Sequence, residues 1–342
     1  MGYKVFLESS IMQKGLPATA GSKMLENFIA PVDATVVSRL LDAGHEIAGR
    51  VDTSEFGIAG LFSESLQGMA VLTEAVSAGG AVCFGEACDA VSSGGADVVL
   101  CNDFTGAVSR SAAENGLYYI QPTYGTVSRF GLTPSVCSID QIGILCKDPK
   151  VGFEVLDIIK GYDEKDGVMT TPALCATPPR RGIDCNVSRN DRGDDAAMTR
   201  VVLQVICCAE FSNNISRYDG IKFGYRAKGY SGLEELYKKS RTEGFGEDVK
   251  LAAIVGARVL YGEGNDRVYE KAMKIRRLIK DSFNFKENDV LKTDCIIAAR
   301  LSGLPTLTIP EAIYVAAAGN DKFLETVYKQ DGASSNNKGV AK

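Results

Sequence analysis

The side chains with intrinsic reactivity are ten cysteines and one histidine, His45. A thiol is a nucleophile only as thiolate, so a working cysteine needs a nearby cation, an imidazole or a helix N-terminus. Cys83 beside Glu8 would be a poor nucleophile, because a carboxylate raises the pKa of a neighbouring thiol. His45, the one imidazole that could help, falls in the turn between a predicted helix and strand. Cys83, Cys88 and Cys101 lack C-x-x-C spacing, so no metal is expected. Cys207-Cys208 lie inside the apolar run VVLQVICCAEF. The plain reading of these residues is reduced, structural thiols in a cytosolic protein. Arg180-Arg181 could touch RNA, but two charges make a small footprint and the net charge is −5. The last chemical cue is a run of small residues, Ser77–Ala113. It either lets backbones approach closely in a core or forms a cradle for a substrate.

That run leads into Ile120–Gly143, the stretch around which the chain is organised. A strand ending near Ile120 meets Pro122-Thr123-Tyr124-Gly125, and Gly131 and Pro134 break the chain again before SIDQIG (Ser138–Gly143). Proline fixes φ and glycine allows φ > 0, so dense punctuation around short apolar pieces predicts an ordered, packed connection. Strands are predicted at Tyr3–Leu7, Glu46–Val51 and Ala96–Cys101. Between the first two, Asp33 is the expected N-cap of a helix whose apolar face is Val36, Val37, Leu40 and Leu41, ending at Gly44. This β–α–β opening argues an α/β class. Helices are expected at Leu66–Ala78, Cys83–Ser93, Val151–Lys160, Gly232–Ser240, Asp248–Leu260 and Asp266–Phe283, with Met198–Phe211 a buried element. The stripe on Asp266–Phe283 is Val268, Ala272, Ile275, Leu278 and Ile279. Asp163–Asp195 reads as a polar surface insert, and residues 332–342 as a disordered tail. The 342 residues, 45% hydrophobic and 24% charged, suffice for one large domain, placed here at 1–331. No stretch of 18 apolar residues suggests a membrane span and no signal-peptide core opens the chain.

PTYGTVSRFGL and SIDQIG resemble segments of the amidase-signature enzymes. GSKMLENF (Gly21–Phe28), DATVVSRLLDAG (Asp33–Gly44) and DTSEFG (Asp52–Gly57) are similar to further family segments. RYDGIKFGY (Arg217–Tyr225) and LYKKSRTEGFGEDV (Leu236–Val249) resemble the aspartyl/glutamyl-tRNA amidotransferase A subunit in particular. The resemblance implies a mixed β-sheet sandwiched between α-helices, reduced in size here. It implies ancestral amide hydrolysis by a Ser nucleophile, a second Ser and a Lys base, with backbone N–H groups holding the oxyanion. In this subgroup it implies glutamine as ammonia source and B and C subunits as partners.

The positions that the resemblance implies for that chemistry are changed. Counting back from Pro122, the nucleophile position is Ala107, and Ser109 falls where the family has Arg. Cys83 holds the place of the second Ser and Glu8 that of the Lys. The family's VKRR segment, whose Arg holds the substrate carboxylate, reads Val249-Lys250-Leu251-Ala252, and Asp294 is a remnant of a substrate-binding Asp. The expectation is a cytoplasmic pseudoenzyme without cofactor, bound to a B- or C-like subunit or to itself, meeting tRNA only indirectly. The alternative is an active amidase or glutamine amidotransferase rebuilt around Cys83, and a third reading is a small-ligand binder using the old pocket. RYDGIKFGY and LYKKSRTEGFG are either folding elements or partner-facing surfaces.

Overall fold

A computed structural model describes residues 2–62, 85–169, 192–261, 266–283, 285, 290–293 and 295–336. Among these, eight strands form one mixed sheet in the order β2-β1-β3-β5-β4-β7-β8-β6. The strands are β1 (Lys4–Glu8), β2 (Glu46–Val51), β3 (Val98–Asn102), β4 (Tyr118–Gln121), β5 (Ile142–Cys146), β6 (Val290–Thr293), β7 (Thr306–Ile309) and β8 (Ala312–Ala316). β1 runs parallel to both β2 and β3, and every pairing from β3 to β6 is antiparallel. The α/β architecture expected from sequence is therefore the one observed.

Strand alternation decides which layer each side chain meets. Val5, Leu7, Val98, Leu100, Ile120, Ile144 and Cys146 share a core with α1 (Thr35–Asp42) and α4 (Pro149–Ile159). Val99, Cys101, Tyr119 and Leu145 face α2 (residues 85–92) and α3 (Ala107–Glu114). α4 begins where its sequence dictates: Asp148 accepts from the Lys150 N–H and Pro149 occupies the first turn. Gly152 lets it close on the sheet, since a Cβ there would sit 2.6 Å from Ile120 and 2.8 Å from the Cys146 sulfur.

A third layer holds α5 (Arg192–Ile215), α6 (Leu233–Gly244), α7 (Glu247–Leu260), α8 (Asp266–Ser282) and α9 (Ile296–Ser302); α10 (Asp321–Asn336) follows β8. α5 and α7 touch backbone to backbone: a Cβ on Gly256 would lie 1.9 Å from the Cys208 carbonyl oxygen. Phe56, Phe211, Tyr218 and Phe245 form an aromatic cluster under this layer. Phe56 itself has φ +53° and its N–H donates to the Ala20 carbonyl.

Several expectations need correction. Asp33 does not cap α1; Ala34 precedes the helix and Asp33 accepts from the Lys14 N–H. Leu41 is exposed at the edge of its helix face, and so are Val268 and Leu278 on α8, where only Ala272 is buried and Ile275 and Ile279 are partly so. Met198 is exposed within α5, which runs further in both directions than the predicted buried element. The polar insert is anchored at its start, because Asp163 accepts from Thr35 and Ser128 and Asp166 pairs with Arg129 at 3.0 Å. Its end is helical from Arg192. The tail is helical to Asn336, because α10 continues four residues past Gly332. The predicted helix Leu66–Ala78 and the Arg180-Arg181 pair lie outside the described residues.

Candidate active site

The carboxyl ends of β1 and β3 lie side by side, which brings Glu8 to Asn102 and Asp103. Glu8 is buried; one carboxylate oxygen accepts from the Ser10 hydroxyl at 2.7 Å and the other from the Asn102 N–H at 2.9 Å. Burial pushes its pKa up to about 7, against the pull of the hydrogen bonds from Ser10, Asn102 and Thr53, and with a smaller push from Asp103. Asn102 carries the site onward to SIDQIG. Its amide donates to Asp140 at 3.0 Å and its carbonyl accepts from the Gln141 N–H at 3.0 Å. Asp140 also accepts from the Ser135 and Val136 N–H groups, and burial raises its pKa.

After Asp103 the chain turns through Gly106, at φ +80°, into α3, whose first residue is Ala107. The position that the resemblance implies for a nucleophile is thus at a helix N-terminus, as activated nucleophiles often are, but its side chain is a methyl group. Ala107 is half-buried there. A Cβ on Gly60 would lie 3.0 Å from the Ala107 Cβ and 2.9 Å from the Thr105 hydroxyl, and one on Gly106 would lie 2.8 Å from Ile296 of α9.

Sequence reasoning missed the strongest polar feature here. The Asp103 carboxylate accepts from the Val108 N–H at 3.0 Å, the Ser109 N–H at 3.0 Å and the Ser109 hydroxyl at 2.6 Å. Arg300 of α9 donates to Asp103 at 3.1 Å, to Ser109 at 2.6 Å and to Thr306 at 3.0 Å. Asp103 and Arg300 side chains are both 1% exposed. Ser109, which stands where the resemblance implies Arg, therefore meets a guanidinium brought from 191 residues away. The available signal was an Arg in the otherwise apolar run IIAARLS.

Of the other sequence-derived positions, Ala252 is fully buried in α7, packed in the core with Val249 and Phe211. Cys83 and Asp294 lie outside the described residues. Among the described residues no group of His, Cys, Asp and Glu could hold a metal ion. Nor, among them, is any helix long and apolar enough to cross a membrane. A cleft of about 410 Å³ opens elsewhere, between Tyr124, Ser138, Glu210 and Tyr269, with the exposed Cys137 at its rim.

An amidase family model matches residues 2–186 and 194–307. The glutamyl-tRNA(Gln) amidotransferase A subunit from Lachnoclostridium phytofermentans is 34% identical, over 85% of this chain and 66% of its own length. That from Lactobacillus acidophilus is 31% identical, over 91% and 78%. The chain thus spans two thirds to about four fifths of these relatives. Among solved structures, the peptide amidase PAM bound to chymostatin superimposes with a TM-score of 0.63, at 19% identity, over 97% of this chain and 83% of its own. 6-Aminohexanoate cyclic dimer hydrolase superimposes with a TM-score of 0.64, at 17% identity, over 97% and 84%. By the family model and by relatives matched across most of their length, the chain belongs to the amidase family and, within it, is similar to glutamyl-tRNA(Gln) amidotransferase A subunits.

Proposed function

We propose that this chain is a non-catalytic member of its family, a cytoplasmic structural or regulatory subunit in a complex with a B- or C-like amidotransferase subunit or with a second copy. The observation that carries the reading is Ala107 at the head of α3, packed against Gly60, with no hydroxyl or thiol to attack an amide. Glu8 adds to it. In place of a Lys, it is a buried acid whose oxygens are held by Ser10 and Asn102. Losing a nucleophile has cost about 10⁶ in kcat in a well-studied serine protease. The purified protein should therefore show no glutaminase or asparaginase turnover, alone or with B and C subunits, and Ala107→Ser alone should restore none. Ammonia release by wild type that Cys83→Ala abolishes would instead establish the second reading, an active site rebuilt around Cys83.

The partner surface we assign is the region Arg217–Val249. Its role is mixed. Tyr218, Leu236 and Phe245 are buried, and the Tyr225 N–H donates to the Met24 carbonyl at 2.8 Å, so part of the segment is a folding element. Ile221, Phe223 and Leu233 in the same segment are exposed, Leu233 by 58%. Any tRNA contact in this reading is made by the partner.

A further inference from the structure

Four buried polar atoms fall on one face of the sheet and have no hydrogen-bond partner among the described residues. They are both ends of the Gln121 amide, the Thr308 hydroxyl and the Arg300 Nε. Their juxtaposition follows from register. Gln121 pairs with Thr306, and Tyr119 with Thr308, across β4 and β7. Opposed side chains in such a pair share a face with Cβ atoms about 5 Å apart. Tyr119 and Gln121, two residues apart, share that face as well. Arg300 lies over it, 5.7 Å from the Tyr119 ring and 3.0 Å from the Thr306 hydroxyl. Gln121, Thr306 and Thr308 are at most 1% exposed and Arg300 is 4% exposed.

An unbonded primary amide in such a place is costly, and native proteins satisfy such groups with ordered water where protein atoms do not. Charge restricts what could serve. Arg300 is already balanced by Asp103 at 3.1 Å, so a further anion or cation would be uncompensated in a buried site. The four atoms also set the donor pattern: Gln121 Nε2 and Arg300 Nε donate, Gln121 Oε1 accepts, and the Thr308 hydroxyl can do either. We infer that an internal water site lies between Gln121, Thr308 and Arg300. A water there accepts from the amide nitrogen or the guanidinium and donates to the amide carbonyl or the hydroxyl, which gives the two to four bonds usual for buried solvent. It links the strand leading into the PTYG turn to the Arg300–Asp103 pair at the head of α3 in one hydrogen-bonded network.

A high-resolution crystal structure of the full chain tests this directly. Solvent density about 2.7–3.2 Å from both the Gln121 amide and Arg300 Nε is expected. A dry site, or a Gln121 amide bonded directly to protein, overturns the inference. Gln121→Met gives a second reading, since it keeps the volume and removes the amide. If water is bound, the variant leaves Thr308, Arg300 and the solvent short of partners, and Tm should fall by at least about 2 °C. A Tm unchanged or raised would mean that the amide was an unsatisfied burden, and would overturn the site. Should Gln121→Met fail to fold, ¹⁷O relaxation dispersion on wild type and Thr308→Val decides: a long-lived internal water weakened by the variant supports the site, and no difference rejects it.

Discussion

At the scale of single residues, Glu8 gives the sharpest expectation. Its pKa in the fold is about 7, pushed up by burial, against an ordinary value near 4.3 in the unfolded chain. Between those values the folded protein holds a proton that the unfolded chain has released. The stabilisation is therefore complete below about pH 4.3 and is lost as pH rises through about 7, on the order of 3 kcal/mol in all. Gln at this position can keep both hydrogen bonds, with its carbonyl accepting from Asn102 and its amide donating to Ser10. Glu8→Gln should match wild type near pH 4 and exceed it at pH 8. Urea unfolding at the two pH values measures this, and an equal difference at both would refute it. Sequence counting singled out Glu8 and Ala107; the structure has Glu8 at the end of β1 and Ala107 at the head of α3, in the segment that follows β3. Counting could not supply the protonation of Glu8, because that depends on burial by segments far apart in the chain.

At the scale of elements, α3 is held by the Asp103 carboxylate at its head and by α9 across from it. Arg300→Met keeps the length of the side chain but leaves Asp103 buried without its cation. Removing one partner of a buried pair typically costs about 3–5 kcal/mol. The two N–H groups and one hydroxyl that Asp103 still accepts should put this variant near the lower end. A loss under about 1 kcal/mol in denaturant titration would show that the pair does not hold α3. Strands and helices with strong local patterns were legible, as β2 shows by matching its predicted span Glu46–Val51. The misses have physical causes. Asp33 follows the capping rule, but the Lys14 N–H competes for its carboxylate. Val268 and Leu278 have helical spacing, yet among the described residues α8 packs against α5, α7 and α9 by its other side, and these two side chains are exposed. Ala252, to which the resemblance assigned the carboxylate anchor's position, is a core residue between α7 and α5, a placement that the motif's spacing does not reveal.

At the scale of the whole molecule, the proposed single domain over residues 1–331 implies one cooperative transition. Fluorescence of the tyrosines and far-UV circular dichroism should then unfold together in urea, whereas separated midpoints would divide the chain. The proposed complex implies that the isolated chain associates. Leu233 at 58% exposed and Ile254 at 68% leave apolar surface that a partner would cover. Light scattering after size exclusion should give a mass above that of one chain, or pull-down from native lysate should recover a B- or C-like protein. A micromolar monomer that recovers nothing would set the proposal aside in favour of a small-ligand-binding role for the old pocket.

The PTYG turn is fastened by a residue that the ribosome delivers late. Both the N–H and the hydroxyl of Thr123 donate to the Asp321 carboxylate, 198 residues further along. β4, just before the turn, gains its second neighbour only when β7 arrives. At translation rates of about 5–20 residues per second, that separation means roughly 10–40 s in which the centre of the sheet exists as an open edge on a nascent chain. Throughout that interval β4 displays unpaired backbone groups of the kind that recruit stray strands. A stop codon between positions 309 and 321 would thus release a chain that has β7 beside β4 but lacks the carboxylate to which Thr123 donates twice.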